Sequence, residues 1–393
     1  MSSLPIDMVD TAPALERLIA RIEGATRVAL DTEFHTERTF SPRLMVLQLA
    51  FDDGAAIVDP LALPQLRPLL DALSNVTIVG HALSSDLKIF AERFDLLPPK
   101  VFDCQVAAAF LGYGMQISLA DLVHDLEGVR LAKSQTVSDW STRPLTPKQL
   151  DYLVDDVAHL LSMSDKLHAS LGTAGRLEWA LEECAVLGEI ERYRADERRT
   201  YLRIPGAMRM SRRELGVLGE IVKLREQIAR ERDLPPKYIL PDDVVSGLAT
   251  LRPKRVEDLE SLRRLDAGMR RTLGRPIVEA VARAEALPED ELPHRPQRPL
   301  GQSRDTVAAV MGVVVGEIAR RNELPPSLLV PRSTLERVAR EVPKERAAFE
   351  AALELSHWRL ELVAEPLWRL LSGQLSLKIE GYADGDPKIQ LEP

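Results

Sequence analysis

A stretch of fourteen residues occurs twice, without a gap, in this 393-residue chain. Ile228 through Pro241 aligns with Ile318 through Pro331, and Ile228/Ile318, Pro235/Pro325 and Pro241/Pro331 all keep the same offset of ninety positions. Agreement over that length implies two copies of one folding unit of ~80 residues. Each copy carries a Pro-Pro pair, Pro235-Pro236 or Pro325-Pro326. Proline lacks the amide donor and clashes with the turn before it, so a helix must stop there in both copies. No strand pattern stands out after residue 172, and that part of the chain reads as all-helical.

Residues 1–171 must then fold differently. Leu15, Leu18, Ile19 and Ile22 fall at helical spacing. Residues 28–34, 44–51 and 55–58 are strand-like runs, and Asp52-Asp53-Gly54 joins the last two as a hairpin signal. Residues 76–79 and 100–102 give two further short strands. Between and after them, helical stretches are predicted at 65–73, at 86–94 with Ser84-Ser85 as cap, at 103–111 and at 119–126. A polar loop at 133–147 leads through Thr146-Pro147 into one long helix at 148–171. A three-strand meander followed by alternating strands and helices predicts an α/β domain, a mixed sheet flanked by helices. The expected division is 1–171 for this domain, 172–208 for a helical connector and 209–288 for the first helical module. A proline-rich linker at 289–303, the second module at 304–380 and a tail at 381–393 complete it.

Charge excludes some partners and permits others. The net charge is −9, and all of it lies in residues 1–170, with 14 Lys+Arg against 23 Asp+Glu; the remainder holds 37 of each. A polyanion would have to be held by local basic patches or through metal. One arginine-rich run is visible, at positions 192, 194, 198, 199, 203, 209, 212 and 213. No apolar run approaches the ~20 residues of a membrane span, and the first residues lack the pattern of a signal peptide. Cys104 and Cys184 are the only cysteines, which offers no disulfide framework or cysteine-based zinc site. A reducing cytoplasm is the expected compartment.

The chemistry gathers around carboxylates. The apolar run at 27–30 ends in Asp31-Thr32-Glu33. On a strand, Asp31 and Glu33 share one face while Thr32 points to the other. Two carboxylates side by side repel and are costly to desolvate, and a hard cation such as Mg²⁺ or Mn²⁺ removes that cost. Alone, this is also what a strand entering solvent looks like. Asp86 falls in the first turn of a helix just past a strand end, where sheets of this kind build sites and where the helix dipole also favours an acid. Tyr152 and Asp156 are four apart on a predicted helix and share a face. Asp31, Glu33, Asp86 and Asp156 together would suit two divalent ions able to activate water at a phosphodiester. Tyr152, with a phenol pKa near ~10, would position that water more than deprotonate it.

These residues carry a resemblance. Residues 31–48, opening Asp31-Thr32-Glu33-Phe34 and closing on Gln48, are similar to the first exonuclease motif of the ribonuclease D family. Gly80-His81-Ala82-Leu83-Ser84-Ser85-Asp86-Leu87 resembles the second, and residues 114–123, 133–145 and 149–157 resemble later segments, the last with the Tyr-x-x-x-Asp pattern of tyrosine-type four-acid exonucleases. The duplicated unit resembles the helicase-and-RNase-D C-terminal (HRDC) domain. The sequence departs from the family at His35-Thr36 and at Leu153-Val154-Asp155. The resemblance implies a ribonuclease-H-like nuclease domain followed by two HRDC-like domains. It also implies 3′→5′ hydrolysis of RNA ends with two divalent ions, releasing nucleoside 5′-monophosphates, with tRNA precursors and other stable RNAs as substrates.

Other positions are candidates for contacting substrate. Thr32 lies between the two acids. Phe34 could stack on the terminal base or belong to the core. His81 could meet the terminal ribose or make a structural hydrogen bond, and Lys133 and Arg143 could bind phosphate or form surface ion pairs. Trp140 is expected to anchor its loop. The helical modules carry no acid cluster and are expected to position RNA, although the apolar first helix of the second copy (307–318) would also suit packing. A monomer is expected. A DNA exonuclease or a non-catalytic RNA-binding adaptor would keep the same fold.

Overall fold

The computed structural model describes residues 4–36, 38–131, 139–194, 200–294, 301–383 and 388–392. The N-terminal part runs β1 (Ile6–Val9), α1 (Ala12–Glu23), β2 (Arg27–His35), β3 (Arg43–Phe51), β4 (Gly54–Val58), α2 (Arg67–Leu73), β5 (Thr77–Gly80), α3 (Ser84–Phe94), β6 (Val101–Asp103), α4 (Cys104–Ala109), α5 (Leu119–Glu127), α6 (Pro147–Ala158), α7 (Leu160–Thr173) and α8 (Leu177–Leu187). The six strands form one sheet in the order β1-β4-β3-β2-β5-β6. β2 pairs antiparallel with β3, and β3 with β4, while β2–β5, β5–β6 and β1–β4 are parallel.

Both faces of the sheet are covered, as its near-continuous apolar strands require. On one face Ala29, Ala50, Ile57 and Val79 join a core with α4, α6 and α7. On the other, Val28, Leu30, Leu47, Leu49 and Ile78 join a core with α1, α2 and α3. The hairpin at Asp52-Asp53 and the five strands read from sequence are all present. β1 was not expected: it is a short edge strand with Ile6 and Met8 about 40% exposed, so burial left no clear alternation to read.

Two helix expectations change. The helix expected over 148–171 is two helices meeting at His159. Glu127 at the end of α5 holds the joint, accepting from the Ser162 hydroxyl at 2.6 Å and lying 2.5 Å from the His159 ring nitrogen. Ser84-Ser85 do not cap α3 by side chain; the helix starts at Ser84, with Leu83 as the residue before it. α6 does begin as read, with Pro147 in its first turn and a reciprocal cap between Thr146 and Gln149.

The helical part consists of α9 (Arg212–Arg232), α10 (Pro236–Ile239), α11 (Asp242–Leu251), α12 (Ala267–Glu285), α13 (Gln302–Arg321), α14 (Pro326–Leu329), α15 (Arg332–Glu341), α16 (Arg346–Leu353) and α17 (His357–Leu371). The ninety-residue offset persists in three dimensions. α10 and α14, and α11 and α15, begin and end at equivalent positions. Left-handed residues recur at Asp233/Glu323 and Arg252/Val342, and a proline sits inside α12 and α17 at Pro276/Pro366.

The C-terminal half is not wholly helical. β7 (Ser376–Glu380) and β8 (Lys388–Glu392) form an antiparallel pair on the second module, across the expected boundary at 380. Its period-two alternation, Leu377 and Ile379 against Ile389 and Leu391, was a readable strand signal. Half of the six described arginines of the run are tied into structure, while Arg192, Arg203 and Arg209 stay exposed. Arg194 pairs with Glu191 and Asp95, and Arg212 and Arg213 donate to carbonyls between Ala284 and Pro293; Arg198 and Arg199 lie outside the described residues. Among the described residues no helix is long and apolar enough to cross a membrane.

Candidate active site

The site stands where the centre of the sheet meets α6. Strand alternation sends Asp31 and Glu33 to the α6 face, and Asp31 lies opposite Gln48 of β3 in the register. A register shift between Glu33 and Phe34 marks a bulge directly after the second acid, a device that re-aims side chains next to active sites. From above, α6 brings Tyr152 and Asp156 one turn apart, with Leu153 and Val157 buried beside them. One carboxylate oxygen each from Asp31, Glu33 and Asp156 lie within 4.8 Å of one another, and each residue keeps some surface open to solvent.

Asp86 is not part of that three-oxygen group among the described residues. Its helix α3 covers the opposite face, and its carboxylate accepts a hydrogen bond from the Thr32 hydroxyl. Thr32 is buried, at 6% exposure. The strand alternation therefore works twice: Asp31 and Glu33 face up, and Thr32, facing down, tethers the fourth acid. The Thr32 side chain is thus occupied by Asp86 on the buried face of the strand. Asp86 remains close enough to raise the pKa of both Asp31 and Glu33.

The four acids are electrostatically strained. Burial, followed by the charges of Asp86, Asp156 and Glu33, holds Asp31 well above the usual carboxylate range. Burial, with Asp156 and Asp86, pushes Glu33 up to about 8. Burial likewise lifts Asp86 and Asp156 to about 7 each. Among the described residues no lysine, arginine or histidine forms a salt bridge with any of the four. Asp156 Oδ2 is buried without a hydrogen-bond partner, a costly arrangement for a carboxylate. An oxygen-only donor set, mutual repulsion and an unpaired buried oxygen all fit a hard divalent cation.

Tyr152 completes the cluster. Its ring stands one helical turn from Asp156, and burial, then the charges of Asp156, Glu33 and Asp31, raise its pKa above the ordinary phenol value, so it stays protonated. Trp140 lies against its ring, with centroids 5.7 Å apart. Trp140 is buried and anchors the loop, as expected.

The remaining candidates divide. Phe34 is half-buried against the core on the α3 face. His81 is half-buried, with its Nε2 buried and lacking a hydrogen-bond partner; burial lowers its pKa, and the Ile117 carbonyl and Asp103 are its polar neighbours. Arg143 is not a free phosphate ligand. It donates to Asp59 at 2.6 and 2.9 Å and to the carbonyls of Met45 and Trp140, tying the Trp140 loop to the sheet. Lys133 lies outside the described residues. Gln48 escaped notice: it is 0% exposed with both amide atoms unpartnered, and a lone amide inside the apolar run of β3 was its visible signal.

The comparisons with known proteins agree with this geometry. A family model described as 3′-5′ exonuclease matches residues 6–171, and one described as HRDC domain matches residues 214–281. Ribonuclease D of Nitrobacter hamburgensis is 34% identical over 380 residues, 95% of this chain and 97% of that one. Ribonuclease D of Escherichia coli K12 is 30% identical over 368 residues, 93% and 98% of the two chains. The crystal structure of Escherichia coli RNase D, described as an exoribonuclease involved in structured RNA processing, superposes with a TM-score of 0.81 at 29% identity, covering 94% of this chain and 99% of that one. With a 3′-5′ exonuclease match followed by an HRDC match, and ribonuclease D relatives that match it almost end to end, the chain belongs to the ribonuclease D family.

Proposed function

We infer that this protein is a 3′→5′ exoribonuclease that hydrolyses the terminal phosphodiester of RNA with the help of two divalent cations, Mg²⁺ or Mn²⁺. The observation that carries this reading is the three-oxygen group of Asp31, Glu33 and Asp156, with the unpaired Asp156 Oδ2, beside a protonated Tyr152. Asp31, Glu33 and Asp156 would hold one ion, and Asp31 with Asp86 would serve the second. Bound cations supply Lewis acidity that makes water a nucleophile and offsets charge on the leaving oxygen.

The chain's own residues do the rest. The Tyr152 hydroxyl stays protonated and orients the attacking water by hydrogen bonding. Trp140 and the Arg143–Asp59 tie hold the wall behind Tyr152. Water attacks phosphorus, the bond to the 3′ oxygen of the preceding nucleotide breaks, and a nucleoside 5′-monophosphate leaves, with a new 3′-hydroxyl on the RNA. Phe34 offers its exposed edge to the terminal base.

The substrates we propose are tRNA precursors and other stable RNAs, met in the cytoplasm by a monomer. The second copy of the repeat is taken as another HRDC-like domain on the strength of the shared ninety-residue offset. Residues 1–171 form the nuclease domain, joined by a connector (172–208) to modules near 209–288 and 304–375, with the pair of strands β7 and β8 appended to the second.

The test uses end-labelled RNA with Mg²⁺ or Mn²⁺ and an EDTA control, alongside a DNA strand of matched sequence. Expected are mononucleotides from RNA, none with EDTA and none from Asp31→Ala. Release that persists in Asp31→Ala, or a preference for the DNA strand, would refute the assignment.

A further inference from the structure

Asp103 lies two strands away from Asp31 and Glu33 and accepts four hydrogen bonds from backbone amides. It ends β6, opposite Gly80 on the parallel neighbour β5, so both strands stop level and each turns into a helix. Asp103 Oδ1 accepts from Gln105 N at 2.8 Å and Val106 N at 3.2 Å, capping α4. The same oxygen accepts from Ala82 N at 3.1 Å, and Oδ2 accepts from Leu83 N at 2.8 Å, in the turn that opens α3. The residue is 1% exposed, and its own N–H donates to Cys184 Sγ at 3.3 Å. One buried charge, met by the N–H groups of two helix starts, thus clamps both of them.

The turn it clamps is not a relaxed one. Ala82 has φ 58°, in the left-handed region that a side chain disfavours. Gly80 must stay bare, since a Cβ there would lie 2.3 Å from Leu83 Cδ2. Leu83 immediately precedes α3, and Asp86 stands three residues on, in its first turn. Where the Leu83 amide is held decides where Asp86 falls relative to Thr32 and Asp31.

We propose that Asp103 is a positioning residue for Asp86: it fixes the start of α3 so that the Asp86 carboxylate reaches the other acids, and divalent-cation binding depends on it although it touches neither cation nor RNA. This rests on the reading of the acids as a cation site. Asp103→Asn separates the role from simple capping of α4. Asparagine can keep its carbonyl at the Oδ1 position, preserving three of the four bonds, but then sets an NH₂ group against the Leu83 N–H.

Full-length wild type, Asp103→Asn, Asp86→Asn and the double variant are titrated with Mn²⁺ by calorimetry, and the first two are assayed on RNA. Expected for Asp103→Asn are a Mn²⁺ dissociation constant raised, and a kcat lowered, on the order of 10–100-fold. KM should stay within about twofold, and Asp103→Asn should add no loss of Mn²⁺ affinity once Asp86 is replaced. Wild-type Mn²⁺ affinity and kcat in Asp103→Asn overturn the proposal, as does an equal loss with and without the Asp86 carboxylate. A wild type that binds no Mn²⁺ overturns the cation reading as well. If circular dichroism shows Asp103→Asn unfolded, Asp103→Ser, which can still cap α4, takes its place with the same expectations.

Discussion

The two copies of the repeat share a fold but are attached to the nuclease domain in different ways. Both offer it the same corner, the end of the first helix just before the Pro-Pro pair. At the second copy, Arg176 of the connector donates to the Phe110 carbonyl at 2.8 Å and the Asn322 carbonyl at 2.7 Å, and Leu324 is buried in a core that the module shares with the nuclease. Trp358 then stacks on Trp179 with centroids 4.9 Å apart and meets Phe110 edge-on at 5.4 Å, so module and nuclease share one continuous core. In the first copy the equivalent corner is polar. Asp233 accepts from the Phe40 amide at 3.1 Å, Arg230 lies 5.4 Å over the Phe40 ring, and Phe40 packs against a core that otherwise belongs to the module and the segment leading into it. A buried apolar corner welds a module in place, whereas a half-exposed aromatic with one hydrogen bond latches it. Phe40 also lies on the loop that leaves β2, seven residues after Glu33, so the latched module is connected to the strand that carries two of the acids.

The sharpest way to break this contrast is Trp358→Ala. Loss of a buried tryptophan typically costs about 3–5 kcal/mol, and here the second module and the nuclease should lose it together. Urea unfolding followed by circular dichroism and by RNA hydrolysis should shift by the same amount. Separate transitions would show the core is not shared. Trp358→Phe should cost less, because the indole N–H is buried without a partner and removing it lifts a desolvation penalty of roughly 1–3 kcal/mol.

Leu218→Ala probes the other side of the comparison. Leu218 is 0% exposed in the core of the first module, and its truncation should cost about 2–5 kcal/mol. Hydrogen exchange should speed up across α9, α11 and α12 while hydrolysis of a short oligonucleotide stays near wild type. Loss of both would mean that the first module is welded too.

The acids allow the two bodies to be told apart by pH. In cation-free protein Glu33 titrates near 8 and Asp86 and Asp156 near 7, whereas unfolded carboxyls titrate near ~4. Between those limits the folded state holds protons that the unfolded state has released, so stability falls as pH rises from ~4 towards ~8. Calorimetry in EDTA should show Tm of the nuclease body dropping over that range, and Mg²⁺ should restore more of it at pH 8 than at pH 6. Asp156→Asn should flatten the slope. The first module, outside the cluster, should show neither effect.

Phe40→Ala should have the smallest effect. A partly exposed cation–π contact is worth about 0.5–1 kcal/mol, so stability should barely move. Hydrolysis of structured RNA should fall a few-fold, with a dinucleotide cleaved as before. Equal loss on both substrates would show that Phe40 supports the site itself and does not act as a latch.

Much of the site was legible because its rules are local. Alternation along one strand placed Asp31 and Glu33 together, four-residue spacing placed Tyr152 above Asp156, and Thr146-Pro147 marked where that helix begins. The contacts that the reading missed are long-range. Thr32 meets Asp86 across 54 positions and Arg143 meets Asp59 across 84, and no local periodicity reports such pairs. The strand pair at 376–380 and 388–392 is a different lesson: its alternation was present but short, and it followed a long helical stretch.

The sequence by itself determined the division into an α/β body and a repeated helical unit, and which acids share a face, because hydrophobic period, proline stops and pleat are properties of neighbouring residues. Only the tertiary structure decided that three acids group while Thr32 holds the fourth, that Asp103 clamps two helix starts, and that one repeat is welded where its twin is latched. Those outcomes depend on which surfaces remove each other from water, and that is settled between segments far apart in the chain.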